Sequence, residues 1–600
     1  MADVNLDLAP IGNCTVSALV DRLGRYIWAC VPRVDGDPVF CGLLGGRDPS
    51  APDATGVWSI ELEDLASAEQ TYLRNTPVLS TRLTDRQGAV LEILDFCPRF
   101  RRLGRMYRPI AFARLVRPVS GAPRIRMKLR PMVDWGRRPA ERTWGSNHVR
   151  YVGDRGALRL TTNAPVSHVI DERVFRVEGE LAFFLGPDES FSEDVGQRTR
   201  QMVDETVGYW RDWVRTLSVP LEWQQVVIRA AITLKLCAFE ETGAIVAALT
   251  TSVPEAPHSG RNWDYRFCWI RDAYYVVQAL NRLGVADMLE NYLGYLRNLV
   301  DNARGGHIQP LYGVGLEPVL SERIIENLPG YRGMGPIRCG NQAHEHLQHD
   351  VYGQIVLSNV QAFFDQRLLR MADVEDFKAL EKVGERAWQL HASPDAGLWE
   401  FRTRAAVHTY SSAMCWAACD RLCNAAGALG LAERQAFWRD RADQIRARID
   451  REAFNPQLGR YAATFGGVDD IDASLLQLVE MRFVQPEDPR FKATLDAVER
   501  GLRRGSYMLR YAVPDDFGMP ETAFNFCTFW LIEALHRVGR TQEARDLFNE
   551  TLKTLTHSGL LSEDTDLKTG ELWGNFPQTY SLVGLINCAV LLSQPWSSVR

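Results

Sequence analysis

The chain has 600 residues, of which 46% are apolar and 24% charged, a composition typical of a globular protein with two or three domains. Its net charge of −6 and its dispersed basic residues argue against a nucleic-acid backbone or an anionic membrane as partner. No apolar run approaches the roughly 20 residues that a membrane-spanning helix requires.

The N-terminus and the cysteines predict a cytoplasmic protein. The segment Met1 to Leu8 has neither a basic n-region nor an apolar h-region, so no signal peptide is predicted. Cys415, Cys419 and Cys423 share one helix face, but no nearby residues complete a zinc site, and buried thiols are the simpler interpretation. We therefore expect reduced cysteines, no metal and no cofactor.

The first part of the chain is predicted to be an antiparallel β-sandwich. Arg124 to Arg130 alternate strictly between polar and apolar residues, as in a half-buried strand. Val90 to Phe96 and Val174 to Leu185 are further predicted strands, separated by turn signals such as Asp85-Arg86-Gln87-Gly88. We expect a sandwich domain over residues 1–191, followed by a helical linker over 192–220.

From about residue 222 the pattern changes to one helix after another. The predicted helical segments are 222–240, 269–283, 286–303, 350–371, 374–391, 409–426, 431–452, 470–480, 488–502, 521–538, 541–556 and 577–593. Twelve segments in hairpin order can close into a double ring of helices. The fold class is therefore predicted as α+β and multidomain, with an N-terminal antiparallel β-sandwich followed by an (α/α)6 barrel over residues 221–600. A solenoid of helical pairs is the alternative, although no repeat of fixed period is found.

Composition separates the helices into an inner and an outer ring. The segments 409–426 and 521–538 are rich in Ala, Cys, Phe and Trp, which suits the inner ring. The segments 374–391, 431–452 and 541–556 carry many charged and amide side chains, which suits the outer ring.

Long connections rich in Gly and Pro indicate where a functional site lies. They are predicted at 304–349, 393–408, 455–469, 503–520 and 557–576. Long ordered connections are usually functional, and Glu400 and Glu563 each lie in one of them, ahead of an inner-ring helix. Two carboxyls that face one cavity are what hydrolysis of a glycosidic bond requires, because one protonates the leaving oxygen and the other activates water or attacks carbon.

The segment from Arg261 to Asp272 is dense in aromatic and charged residues where a helix begins. Arg271 and Asp272 can grip two neighbouring hydroxyls of a sugar, one donating and one accepting a hydrogen bond. Spacing alone fits an ion pair at the helix N-terminus equally well.

Together, Arg261 to Asp272, Gly397-Leu398-Trp399-Glu400 and Leu561-Ser562-Glu563 resemble glycoside hydrolase family 15, the family of glucoamylases and bacterial trehalases. The resemblance covers essentially the whole chain, and the N-terminal region looks like the β domain of the trehalase-like branch. Further family-like blocks, in the same order, are Ile11 to Cys14, Trp28 to Arg33, Leu43 to Gly46, Gly340-Asn341, Asp350 to Gly353, Asp515 to Gly518 and Gly574 to Gln578.

The resemblance implies a role for each site residue. Glu400 would be the general acid and Glu563 the general base of an inverting hydrolysis that releases β-glucose from the non-reducing end of an α-glucoside. Arg271 and Asp272 would hold that glucose, and Tyr265 and Trp269 would lie beside it and the nucleophilic water. Arg510 would lie on the leaving-group side, and Trp399 would flank the acid. The substrate we expect first is trehalose, followed by malto- or isomalto-oligosaccharides.

The two carboxyls are expected to differ in solvation. Packing against Trp399 is expected to desolvate Glu400 and keep it protonated, whereas Glu563 is expected to stay ionised in a wetter site with hydrogen-bond donors. Inversion further predicts that the carboxyls lie roughly 6.5–9.5 Å apart, with water between them.

Several alternatives stay open at this stage. Asp564 or Asp566 could replace Glu563 as the base, and Asp515 and Asp516 fit either the funnel or loop caps. The histidine-rich segment His344 to His349 leaves a metal or phosphate requirement open. A phosphorylase on the same scaffold and a non-catalytic sugar-binding protein are the competing functions, and a homo-oligomer is compatible with the sequence.

Overall fold

The computed structural model of the protein describes residues 4–154, 156–303 and 306–599. Residues 1–3, in the segment from which no signal peptide was predicted, and residues 304–305, at the start of the predicted 304–349 connection, lie outside the described residues.

Two antiparallel sheets form the N-terminal part. In order across the first sheet, the strands are Ala9–Gly12, Ser17–Val20, Tyr26–Val31, Val57–Leu62, Arg124–Arg130 and Phe175–Arg176, with Asp37–Phe40 paired to Tyr26–Val31. The order across the second sheet is Glu141–Trp144, His148–Gly153, Gly156–Thr162, Leu181–Gly186, Phe112–Ser120, Val90–Phe96, Leu79–Asp85 and Leu65–Tyr72.

The sandwich core lies between these sheets. Trp58 and Met127 from the first sheet pack with Ile93 and Phe112 from the second, and all four are fully buried. Alternating side chains on each strand supply this apolar layer, as in other packed sheets.

The predicted strands at Arg124–Arg130 and Val90–Phe96 agree with the observed bounds. The single strand predicted from Val174 to Leu185 is wrong. Phe175–Arg176 pairs with Arg124 and Ile125 in the first sheet, whereas Leu181–Gly186 lies in the second. The polar residues Glu178-Gly179-Glu180 mark the passage between the sheets, which the flanking apolar runs conceal in the sequence.

Helices begin with α1 (Val166–Ile170) and α2 (Val195–Arg215). Helix α2 packs Met202 and Val203 against Phe96 and Leu115 of the second sheet, so it covers the outer face of the sandwich.

The remaining helices form the second part of the chain. Their bounds are α3 Gln224–Leu236, α4 Ile270–Arg282, α5 Asp287–Ala303, α6 Asp350–Val360, α7 Val374–Leu390, α8 Thr409–Ala428, α9 Ala432–Glu452, α10 Gln477–Glu480, α11 Pro489–Leu502, α12 Asn525–Arg537, α13 Thr541–Leu552 and α14 Thr579–Leu592. A 3-10 turn, Ala473–Leu476, leads directly into α10. Each predicted helical segment overlaps one of these helices, although α8 ends two residues later than predicted, and α6 and α10 are shorter than their predicted segments.

Six of these helices close an inner ring. Helix α4 packs on α6, α6 on α8, α8 on the Ala473–Leu476 turn and α10, these on α12, α12 on α14, and α14 returns to α4. The closed ring identifies an (α/α)6 barrel and rules out the solenoid alternative. Helices α8 and α12 lie in the inner ring, and α7, α9 and α13 lie outside it, as their compositions predicted.

Connections from an outer to an inner helix are long, and those from an inner to an outer helix are shorter, the longest being 361–373 between α6 and α7. Because consecutive helices run antiparallel, the long connections emerge together at one end of the barrel. They span residues 237–269, 304–349, 391–408, 453–472, 503–524 and 553–578. The connection 237–269 is not among the five predicted ones.

Small β-hairpins stiffen these connections and the sandwich edge. They are Phe100–Arg102 with Arg105–Tyr107, Met132–Val133 with Arg138–Pro139, Ala238–Phe239 with Ala244–Ile245, Cys268–Trp269 with Leu311–Tyr312, Arg323–Ile325 with Ile337–Cys339, Phe454–Asn455 with Arg460–Tyr461, Arg503–Arg504 with Tyr507–Met508, and the three strands Thr522–Phe524, Asp564–Asp566 and Leu572–Trp573.

The sandwich packs directly on the barrel. Trp28, at 2% exposure, belongs to the barrel's apolar core and donates from Nε1 to the carbonyl of Leu249 at 2.7 Å. It is therefore a packing residue between the two domains. Within the described ranges, no helix combines the length and apolar character needed to cross a membrane.

Gly353 allows the inner helices α6 and α8 to approach closely, because a Cβ there would lie 2.5 Å from the carbonyl oxygen of Met414. We predict that Gly353→Ala destabilises the protein by about 1–3 kcal/mol through overpacking. The matched control is Gly294→Ala in α5, where a Cβ would meet nothing within 4 Å; it should stabilise by about 0.5–1 kcal/mol. Calorimetric Tm values should therefore move in opposite directions, and a Gly353→Ala Tm at or above the wild-type value would contradict this packing.

Candidate active site

One open pocket of about 920 Å³ lies among the long connections. The eight residues that the family resemblance assigns to the site all line this pocket. They are Tyr265, Trp269, Arg271, Asp272, Trp399, Glu400, Arg510 and Glu563.

Two aromatic residues tie the two carboxyls to one another. The Tyr265 hydroxyl donates to Glu563 Oε1 at 2.6 Å, and Trp269 Nε1 donates to Glu400 Oε1 at 2.7 Å. The two rings contact each other edge to face, with centroids 5.3 Å apart. Residues 163 positions apart in the sequence therefore meet across one pair of rings.

Local structure explains why these rings are fixed. Cys268–Trp269 pairs with Leu311–Tyr312, and α4 begins at the next residue, Ile270. The carbonyls of Tyr265 and Phe267 accept hydrogen bonds from the backbone of Ala248 and Ala247, both at 3.0 Å. An extended segment held on both edges has little freedom to move its side chains.

Glu400 lies at the end of a tight turn. Its backbone N–H donates to the carbonyl of Gly397 at 3.1 Å, and its φ of 61° is unusual for a residue with a side chain. Gly397 also has a positive φ, and a Cβ there would meet the ring of His408 at 2.7 Å. The turn therefore depends on glycine at 397, and it holds Glu400 in a conformation that costs free energy.

The two oxygens of Glu400 have different surroundings. Oε1 accepts hydrogen bonds from Trp269 Nε1, from Arg271 Nη2 at 3.1 Å and from Gln348 Nε2 at 3.2 Å. No side chain in the described part of the chain donates to Oε2. One oxygen is therefore anchored, and the other is available to a ligand.

The expected desolvation of Glu400 by Trp399 is wrong. The Glu400 side chain is 22% exposed. Trp399 donates instead to Asp472 Oδ2 at 2.8 Å, and its ring packs edge to face against Tyr511 and Phe524. Trp399 thus builds the pocket wall, and Trp269 is the aromatic residue bonded to Glu400.

The expected wet environment of Glu563 is also wrong, because this residue is only 2% exposed. It directly precedes the strand Asp564–Asp566, and its carbonyl accepts from the backbone N–H of Asn525 at 2.9 Å. This backbone hydrogen bond and the adjoining strand fix the position of Glu563. Burial, and after it the charges of Glu255 and Asp564, raises the pKa of Glu563 well above its ordinary value.

Arg271 and Asp272 lie in the first turn of α4. Arg271 Nη1 donates to Gln348 Oε1 at 2.9 Å, while Nη2 contacts Glu400. Within the described residues, no side chain donates to Asp272, so the two residues are not an isolated N-terminal ion pair. Burial raises the pKa of Asp272 to about 7, against the opposing effect of Arg271. The Asp272 carboxyl is therefore free to bond a ligand in the pocket.

Glu255 is a pocket residue that the sequence analysis missed. It is 4% exposed; Oε1 accepts from Trp263 Nε1 at 2.8 Å, and Oε2 accepts from Arg510 Nη2. The sequence does carry a signal for Glu255, because it is the one charged residue between Glu241 and Arg261, in the 237–269 connection that was not predicted. Gln348, which bonds both Arg271 and Glu400, carried no comparable sequence signal.

The alternative bases do not line the pocket. Asp564 is buried and accepts from the Thr522 hydroxyl at 3.0 Å. Asp566 caps an exposed turn by accepting from the backbone of Lys568 at 3.0 Å and Thr569 at 2.7 Å. Glu563 is therefore the carboxylate of this group that a ligand in the pocket can reach.

The remaining polar candidates form the pocket wall or bond the backbone. Asp515 pairs with Arg261, with Nη1 to Oδ2 at 2.7 Å, and both line the pocket. His344 and His349 bond the carbonyls of Asn341 and Ser393 at 2.9 and 3.2 Å. Searched over residues 4–154, 156–303 and 306–599, the structure has no group of three His, Cys, Asp or Glu side chains able to hold a metal ion.

Both the barrel and the N-terminal domain are similar to known proteins. The family profile of Glycosyl hydrolases family 15 matches residues 223–590, and that of the trehalase-like N-terminal domain matches residues 7–175. A trehalase from Thermoplasma volcanium is 31% identical over 97% of this chain and 93% of its own length. A trehalase from Mycobacterium tuberculosis is 30% identical over 97% and 89%.

Among solved structures, a bacterial glucoamylase complexed with acarbose superposes with a TM-score of 0.68 at 13% identity, covering 98% of this chain and 94% of that one. At this identity the superposition shows a common fold. The profile match over most of the barrel, together with relatives of at least 30% identity along nearly the whole chain, leads to one assignment: this protein is a glycoside hydrolase and belongs to glycosyl hydrolases family 15.

Proposed function

We propose that this enzyme hydrolyses α,α-trehalose by a single displacement with inversion, releasing β-glucose from one of its two sugars. The observation that carries the proposal is that Glu400 and Glu563 line the same pocket, each fixed by one ring of the Tyr265–Trp269 pair. The trehalases that match nearly the whole chain support trehalose as the substrate.

In the proposed reaction, Glu400 is the general acid. Its anchored Oε1 bonds Trp269, Arg271 and Gln348, so Oε2 can carry the proton to the glycosidic oxygen. Arg271 and Asp272, in the first turn of α4, offer a donor and an acceptor to the hydroxyls of the glucose whose bond is cleaved.

Glu563 is the proposed general base. Tyr265 bonds Oε1, and Oε2 is buried with no donor among the described residues, so Oε2 can accept the proton of an attacking water. Inversion needs a separation of roughly 6.5–9.5 Å between the carboxyls to leave room for that water. The two rings that intervene between the carboxyls favour such a spacing.

We also propose a cytoplasmic location. It is supported by the twelve cysteines, which all have free thiols and of which eleven are buried, because reduced thiols are typical of proteins in reducing compartments.

The product anomers test the proposal most directly. Inversion of trehalose gives one β-glucose from the attacked sugar and one α-glucose as leaving group, so early ¹H NMR spectra should show the anomers in equal amounts. Glu400→Gln and Glu563→Gln should each lower kcat by roughly 10³-fold or more. Exclusive early α-glucose would refute inversion. Glucose release from maltose or isomaltose but not from trehalose would refute the substrate, and a phosphate requirement would indicate a phosphorylase.

The raised pKa of Glu563 predicts an acid limit to activity. A base acts when ionised, so kcat/KM should fall as pH drops through this raised pKa. Because the Glu255 charge helps to raise it, Glu255→Gln should move the acid limb of the kcat/KM profile to lower pH. The control Glu240→Gln removes an arginine-paired carboxylate that does not line the pocket and should leave the limb in place. An unmoved or raised limb in Glu255→Gln would contradict the coupling.

A further inference from the structure

Three of the long connections meet beside the pocket in a cluster that we call the clasp: Trp263, Arg402, Thr403, Asp516 and Phe517. Trp263 comes from the 237–269 connection, Arg402 and Thr403 from 391–408, and Asp516 and Phe517 from 503–524. All of these residues except Thr403 line the pocket.

Asp516 joins two of the connections. Its Oδ2 accepts a hydrogen bond from the backbone N–H of Arg402 at 2.6 Å, and its Oδ1 accepts one from the Thr403 hydroxyl. The segment that follows Glu400 is thus tied to the opposite connection within two residues of the proposed acid.

Aromatic and cationic contacts add the third connection. The Arg402 guanidinium lies over the Trp263 ring at 4.6 Å and over the Phe517 ring at 5.5 Å. Trp263 and Phe517 also meet edge to face, with centroids 5.0 Å apart. Stacks of this kind are favourable in both their cation–π and their ring–ring contacts.

Further bonds anchor the clasp from outside. Arg402 donates from Nη2 to Glu322 Oε2 at 3.0 Å and from Nη1 to Gln342 Oε1 at 2.9 Å, both in the 304–349 connection. The neighbouring Asp515 is paired with Arg261, and the Arg261 guanidinium also bonds the carbonyl of Gly518 at 2.9 Å. Hydrogen bonds therefore attach the clasp to the neighbouring connections on both sides.

The proposed reaction puts the clasp on the side of the pocket where the leaving sugar would bind. In that reaction, Arg271 and Asp272 bind the glucose that is attacked, and Glu400 lies at the bond that is broken. The chain passes from Glu400 through Phe401 to Arg402. Trp263 in turn shares the Glu255 carboxylate with Arg510, the residue assigned to the leaving-group side.

We propose that the clasp determines chain-length specificity: it closes the leaving-group side of the pocket behind one sugar, so that a disaccharide fits and a longer leaving group does not. This inference rests on the proposed hydrolysis of trehalose and adds the reason why the enzyme would be confined to disaccharides. The barrier is formed by the four clasp side chains that line the pocket, which are joined across three connections, and not by a single long side chain.

The clasp can be opened without disturbing the core. Phe517 is 36% exposed, and its neighbour Met519 is 48% exposed, so the 513–520 segment lies at the surface. Asp516→Ala removes both bonds to the 391–408 connection, and Phe517→Ala removes the ring that covers Arg402. Surface substitutions of this kind usually leave the fold intact.

The test compares trehalose with trehalose carrying one further α-linked glucose on one ring, using purified full-length enzyme. The wild type should prefer the disaccharide by about tenfold or more in kcat/KM, the range that steric exclusion from a pocket provides. In Asp516→Ala and Phe517→Ala, the ratio of trisaccharide to disaccharide kcat/KM should rise by about tenfold, with a higher KM for trehalose. The control Asp85→Ala removes a carboxylate that caps an exposed turn outside the pocket and should leave the ratio unchanged.

Each outcome decides the proposal. A wild type that cleaves both sugars equally well, or a ratio unchanged in both clasp variants, would overturn it. If the wild type does not cleave trehalose at all, the proposed function fails. The clasp is then tested with the disaccharide and trisaccharide of the linkage that is cleaved, with the same expected change in ratio.

Discussion

The contact between Tyr265 and Trp269 is the constraint on which the site depends. Each ring bonds one of the two carboxyls, so the position of both Glu563 and Glu400 follows from one extended stretch of five residues. Burial, and after it the charge of Glu563, raises the pKa of Tyr265 well above its ordinary value, so the hydroxyl keeps its proton and remains a donor at neutral pH. The remaining loops add substrate contacts around this fixed centre.

The N-terminal sandwich contacts the stretch Tyr265–Trp269 on the side away from the pocket. Along an extended chain, side chains alternate between faces, and while Tyr265 faces the pocket, its neighbours Asp264 and Arg266 are buried and form an ion pair at 2.8 Å. Arg266 also donates to the carbonyl of Gly36 at 2.7 Å, and its guanidinium lies 4.9 Å from the Trp135 ring, both in the N-terminal domain. The N-terminal domain is thus joined by hydrogen bonds to the segment that orients the catalytic groups, which gives it a structural role in the site.

Much of this architecture could be predicted from the sequence, because helix periodicity and family-like motifs are local signals. The helices, two of the three named strands and the meeting of Glu400 with Glu563 in one pocket agree with the structure. The environments of the two carboxyls could not be predicted, since they depend on contacts between connections distant in sequence: Gln348 approaches Glu400 from one, and Glu255 approaches Glu563 from another. The strand predicted across Val174–Leu185 failed for a related reason, as its halves belong to different sheets.

A crystal structure of the Glu400→Gln enzyme with trehalose bound would test the account most directly, because the base stays intact while cleavage is slowed. We predict one glucose ring held by Arg271 and Asp272, the residue at 400 beside the glycosidic oxygen, and a water bonded to Glu563 Oε2 and aimed at the anomeric carbon. Glu563 lying directly against that carbon with no room for water, or trehalose bound away from this pocket, would contradict it.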